Sequence, residues 1–214
     1  MDQEKEIGTT ISRLEKLKVF LVKNKKSLTF LIIIIVLVLF GYFFYKDYSK
    51  KQKIKLADKY NSVKMDFDSG NKNNVVDELK YIIMSKDKTY SPLALYFLID
   101  NSLIKSKEEI NKFFDIIIND INLEKEVKNL IIYKKALYNS EFETENNLIK
   151  ILSPIINSDS VWKSHALYLL AEYFFDKNQK QKAKEFYSQI LNYEKSNENI
   201  LIETQKRLNR DFSE

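Results

Sequence analysis

One histidine, His165, no cysteine and three glycines are the whole inventory from which this 214-residue chain could assemble catalytic or metal chemistry. A metal needs several converging ligands, and a lone imidazole cannot supply them. A phosphate loop needs glycines at close backbone approaches, and neither GxSxG nor HExxH occurs. The acidic run Glu141, Glu143 and Glu145 reads as a solvated turn. The expectation is no catalytic residue, no cofactor and no metal: the chain is not an enzyme. What remains is recognition. His165, Tyr168, Glu172, Phe175 and Asp176 fall on one side of a helix, a side that mixes aromatic and charged groups suited to contacting another protein.

The elements that must position such a stripe are helices. Three glycines and two prolines are few for sheets or tight loops, so the composition favours an all-α protein. Its dominant stretch is Ser27 to Tyr45, nineteen residues without a charge, of which fourteen are Leu, Ile, Val or Phe. At a rise of ~1.5 Å per residue it spans close to a ~30 Å hydrocarbon core. Insertion is favoured by roughly 4 to 8 kcal/mol. The run exceeds a signal-peptide core, and no small-x-small cleavage site or lipid-accepting cysteine follows, so the sequence predicts an uncleaved signal anchor.

That span divides the chain into a basic amphipathic tail over 1–26, a transmembrane helix over 27–45, and a helical domain over 46–214. In the tail, Ile7, Ile11, Leu14, Leu17 and Leu21 share one helical side, suited to an anionic leaflet, a partner's helix or a simple lead-in to the span. The tail holds seven basic and four acidic residues, leaving 28 against 26 for everything after it. The domain is nearly neutral with interspersed charges, which argues against a nucleic-acid binder. Lysines flank both ends of the span, so the positive-inside rule leaves its orientation open.

Nine helices are predicted, the first continuing from the span with a stripe of Leu56, Tyr60, Val63 and Phe67 and stopping at Asp68–Asn71. Asn73 and Asn74 are capping candidates for a second helix through Ile83, and Ser91–Pro92 reads as the N-cap and first residue of a third. Ser106 with Glu109 fits a capping box opening a fourth, with stripe Ile110, Phe113, Phe114, Ile117 and Ile121. The fifth carries Val127, Leu130, Ile131, Leu137 and Tyr138. The sixth carries Leu148, Ile151, Leu152, Ile155 and Ile156, with a bend expected at Pro154. The last three run over about Val161–Asp176, Gln179–Tyr193 and Asn197–Arg210. Short-looped hairpins with a polar-faced final helix predict an α-solenoid with a terminal cap, around one core.

In the seventh and eighth helices, Leu167, Leu170, Ala171, Phe174, Ala183, Tyr187 and Ile190 stand at the tetratricopeptide spacing. The two alanines let antiparallel helices approach, and the large residues fill the space to the next pair. Asn178 takes the place of a common turn glycine, Lys195 that of a common proline, and the earlier hairpins depart from a 34-residue period. The stripe from His165 to Asp176 should then face the groove or the preceding repeat.

With these features the chain resembles a bacterial family of single-span inner-membrane proteins with a degenerate tetratricopeptide-like domain, the ancillary subunits of the Sec translocon. The likeness is strongest over Val161 to Arg210, through Trp162, Ala166, Ala171, Glu172 and the closing LIETQKRL, and extends more weakly over Tyr90 to Leu98. It implies a cytoplasmic N-terminus, a periplasmic domain, and protein partners: the translocon, periplasmic chaperones and exported chains. It implies no catalytic residue and no small-molecule substrate. Two other readings are a structural envelope scaffold and a cytoplasm-facing tetratricopeptide adaptor of inverted topology.

Overall fold

A computed structural model describes residues 15–16 and 18–212, and every regular element among them is helical. The tail stripe through Ile7, Ile11, Leu14 and Leu17 lies outside the described residues, while 18–23 are helical and Leu21 is exposed. Helix α1, Lys25–Asp68, contains the expected span. It is long and apolar enough to cross a membrane, and its apolar side chains from Phe30 to Tyr45 are exposed. The chain divides into two compact units between Lys55 and Leu56.

In the second unit the end of α1 is followed by α2 (Val75–Met84), α3 (Tyr90–Asp100), α4 (Lys107–Asp120) and α5 (Lys125–Asn139). Then come α6 (Glu145–Ile156), α7 (Lys163–Asp176), α8 (Lys180–Leu191) and α9 (Glu198–Asp211). Successive odd-numbered helices from α3 start 35, 38 and 35 residues apart, and even-numbered ones from α4 start 38 and 35 apart. Hydrogen bonds between neighbouring repeats reflect that period. Ser160 Oγ donates to Glu126, Tyr193 Oη donates to Asp159, and the Asn197 N–H donates to Ser164 Oγ. This is the repeat array that the helical hairpins predict, with an irregular period.

The expected stripes of α1 and α4 point inward. Val63 is buried with Leu56, Tyr60 and Phe67 packed behind it, and Ile110, Phe113, Phe114, Ile117 and Ile121 are all buried. All seven tetratricopeptide positions are at most 1% exposed, so the register of α7 and α8 is as read. Asn178 adopts φ 59°, and the N–H groups of Asn178 and Gln179 bond the carbonyls of Phe175 and Phe174. It closes α7 in a left-handed cap, a conformation asparagine tolerates better than most residues with a side chain.

Several local expectations are corrected. Asn74 precedes α2 at φ 61° and its side chain caps nothing; the Asn71 side chain instead accepts from the Asn73 N–H. Helix α3 begins before Ser91: Asp87 Oδ1 accepts from the N–H groups of Thr89 and Tyr90 at 2.8 Å. Ser91, buried inside the first turn, donates to the Ile82 carbonyl across the hairpin, and Pro92 is still within the turn whose N–H groups lack helical partners. Ser106 does accept from the Glu109 N–H, but its hydroxyl donates to Glu108, because Glu109 is drawn to Lys80 at 2.7 Å. In α5, Ile131 is buried as expected, but Val127 and Leu137 are exposed, and Asn129, Ile132, Ala136 and Asn139 are buried too. Apolarity alone misled there, since each asparagine is buried with a polar partner. In α6, Pro154 lies in the last turn, and Ser153 Oγ donates to the Lys150 carbonyl that proline cannot serve.

The buried residues form two clusters in place of the single core expected. One runs from Val63 to Ile131, the other from Ile132 to Ile190. Helix α5 faces both, through two adjacent isoleucines.

Candidate functional site

Helix α7 carries the candidate contact stripe because its opposite side is committed to packing. Ala166, Leu167, Leu170, Ala171 and Phe174 are buried against the neighbouring helices, which leaves His165, Tyr168, Glu172, Phe175 and Asp176 on the other side of the cylinder. The first four are partly buried and Asp176 is exposed.

The structure sorts these five into three settings. His165 faces the preceding repeat, its ring 6.1 Å from that of Tyr133 on α5 and 5.2 Å from that of Trp162. Its Nδ1 is buried without a hydrogen-bond partner among the described residues, and burial holds the imidazole below its ordinary pKa. Tyr168, Glu172 and Phe175 are engaged by residues on the far side of α7, away from the preceding repeat. The Tyr168 ring meets Tyr187 at 5.8 Å, and Phe175 meets Phe212 at 5.7 Å and lies under the Arg207 guanidinium at 4.6 Å.

Glu172 is the hub of this second setting. Arg207 Nε donates to its Oε1 at 2.7 Å, Arg207 Nη2 donates to its Oε2, and the Tyr187 hydroxyl donates to Oε1. Arg207 Nη1 continues to Asp211 at 2.8 Å. Burial pushes the Glu172 carboxyl up, but the bonds from Arg207 and Tyr187 outweigh it and hold the group below the usual carboxylate range. Burial and the neighbouring Glu172 charge push Tyr168 up to about 12. A bidentate arginine clamp between α7 and α9 is thus the main electrostatic feature of the stripe. The sequence reading missed Arg207 as its partner. The available signal was a separation of 35 residues, the same as the repeat offset between α7 and α9.

The third setting is open. Glu172 and Asp176 border a cavity of about 320 Å³ together with Ser140, Glu141, Leu169, Tyr173 and Lys177, between the ends of α5 and α7. Its exposed polar rim and Leu169 wall suit reversible contact with a polypeptide. Among the described residues no three His, Cys, Asp or Glu side chains gather in a way that could hold a metal ion.

A family described as a tetratricopeptide repeat-like domain matches residues 18–108, which takes in the span and the chain as far as the start of α4. The match lies at the opposite end of the chain from Val161–Arg210, where the family likeness was read as strongest. Residues 18–108 are therefore similar to a tetratricopeptide-like domain, a helical repeat whose stacked hairpins create extended concave surfaces. No curated protein and no solved structure matches the chain.

Proposed function

We propose that this chain is a membrane-anchored protein-binding module that works beside the Sec translocon and assists in passing exported chains to periplasmic chaperones. In this reading the N-terminus is cytoplasmic, α1 crosses the inner membrane once, and the helical domain is periplasmic. The observation that carries it is that one family match covers both the apolar part of α1 and the first helical hairpins. The anchor is then part of the domain's own pattern. The translocon assignment rests on the family resemblance, including Glu172 and the closing LIETQKRL, which supplies the Arg207 that Glu172 binds.

The physical logic is one of tethering. An anchored domain meets its neighbours at an effective concentration in the ~mM range, so weak contacts suffice for capture and release. Tyr168, Glu172 and Phe175 have internal partners, whereas Asp176 and Glu141 stand exposed at the rim of the α5–α7 cavity. The rim makes the transient contacts and the clamp keeps the stripe in shape.

The test is photocrosslinking in intact membranes from a probe at Lys177, exposed on the same rim, of the tagged full-length protein, with identification of the adducts. Channel subunits and exported chains are expected. Asp176→Lys with Glu141→Lys should reduce adducts with exported chains while channel copurification is retained. Recovery of one stable envelope partner and no channel component would replace this reading with the scaffold.

A further inference from the structure

Beyond its apolar part α1 continues without a break to Asp68, so the residues that follow the span have a fixed height above the hydrocarbon core. At ~1.5 Å per residue, Lys46 to Lys53 occupy about the first 12 Å past Tyr45, which takes in a headgroup layer of roughly 5 to 8 Å and the reach of a lysine side chain back into it. Tyr42, Tyr45 and Tyr48 stand exposed at this boundary, the level at which tyrosine anchors a span.

Charge sets this stretch apart from the rest of the chain. Residues 46–55 hold five lysines and Asp47, a balance of +4, whereas 56–214 hold 23 basic and 25 acidic residues, a balance of −2. The Asp47 carboxylate is taken by Lys51 at 2.8 Å, and the next ion pair along the helix is that of Lys59 with Glu78 at 3.6 Å. Lys46, Lys50, Lys53 and Lys55 have no carboxylate partner among the described residues. Asp58, the next acidic residue of α1, lies about 140° round the helix from Lys53. Lys46, Lys50 and Lys53, at spacings of four and three, form an exposed row along one face.

We propose that Lys46, Lys50 and Lys53 bind the phosphate groups of anionic phospholipids in the leaflet from which the helical domain emerges. Charge selects an anion, and the place of the row at the end of an uninterrupted membrane helix selects one carried by the bilayer surface. The inference rests on α1 spanning the membrane, and it assigns a ligand to lysines that take no part in the contacts proposed for the α5–α7 cavity.

The chain has no cysteine, so Ser49→Cys, exposed beside the row, accepts a single fluorophore. Labelled full-length protein is reconstituted in nanodiscs of equal phosphatidylglycerol and phosphatidylcholine, with a quenching nitroxide near the headgroup of one lipid or the other. Phosphatidylglycerol should be enriched at the label roughly threefold, and the enrichment should vanish at ~1 M salt, where the screening length is ~3 Å. Lys46→Gln, Lys50→Gln and Lys53→Gln together should abolish it, while arginine at the same three positions should preserve it. Lys105→Gln, Lys180→Gln and Lys184→Gln together remove equal charge from exposed positions of the helical domain and should leave it unchanged. Equal quenching by the two lipids, equal loss in both glutamine variants, or displacement by inorganic phosphate at constant ionic strength overturns the proposal. Equal quenching together with loss of channel copurification in the first glutamine variant would assign the row to a protein partner instead. Quenching by neither lipid would overturn the span itself, whereas equal quenching by both leaves the span and the proposed function standing and withdraws only the lipid site.

Discussion

Ala183 is fully buried in α8, within the core cluster it shares with Leu167, Leu170 and Ala171 of α7. Ala183→Leu is expected to destabilise the domain by about 1 to 3 kcal/mol through overpacking, measured as a shift in the denaturant midpoint of the full-length protein. His165 gives a second residue-level test. Burial lowers its folded pKa below 6.5, so on acidification the unfolded chain takes up the proton first. The stabilisation is therefore complete above the unfolded pKa and declines as pH falls through about 6.5 toward the folded value. Thermal melts between about pH 7 and pH 5 should show this decline, and His165→Gln should flatten it. Glu172 acts in the same direction further into acid: its lowered carboxyl contributes stability that is present above the unfolded carboxylate pKa and lost as pH falls through the folded one.

Among the elements, α9 decides whether the end of the array is sealed. Its Ile200, Leu201 and Leu208 pack on the second core while Glu203, Gln205 and Lys206 face water. Arg207→Met removes the guanidinium from over Phe175 and deletes the charge, leaving Glu172 with tyrosine donors alone. The expected loss is about 1 to 3 kcal/mol, and a double mutant with Glu172→Gln should recover part of it, as read from chemical denaturation. The helices themselves were legible in the sequence because apolar spacing reports a packed face directly. Ile110, Phe113, Phe114 and Ile117 are an example. The buried row of α5 was not legible, because Asn129 and Asn139 are inside only by virtue of Ser160, Asn111 and the Lys135 carbonyl, partners from distant sequence or the preceding turn. The caps of α2 and α3 failed for a related reason. Several short polar residues crowd each turn: Asp87 serves the start of α3 in place of Ser91, while Asn71 accepts from Asn73 ahead of α2, whose N-cap Asn74 makes no side-chain bond. Of the candidate site, the stripe's residues could be read but their partners could not. The helix that engages Glu172 and Phe175 is the next odd-numbered member of the array.

For the whole molecule, the testable quantity is sidedness. Protease added to spheroplasts is expected to digest the domain from Leu56 onward while the apolar part of α1 stays in the membrane. Protection there, with cleavage only in inverted vesicles, would place the domain in the cytoplasm and favour the adaptor reading. Exchanging the apolar part of α1 for an unrelated span of equal length provides a separate test. If that part recognises the channel, copurification should fall while the domain remains membrane-bound; if it persists undiminished, recognition lies in the helices.

The adjacent Ile131 and Ile132 of α5, which serve different cores, also bear on how the domain opens. Two apolar clusters that share one helix need not melt together, so the C-terminal half can lose protection while the half from Val63 to Ile131 keeps its own. In native-state hydrogen exchange the amides of α7 to α9 would form one cooperative block and those of α2 to α4 another. Ala183→Leu would then accelerate exchange in the first block alone. A domain built this way can yield over α7 to α9 without unravelling the half that holds Val63 to Ile131.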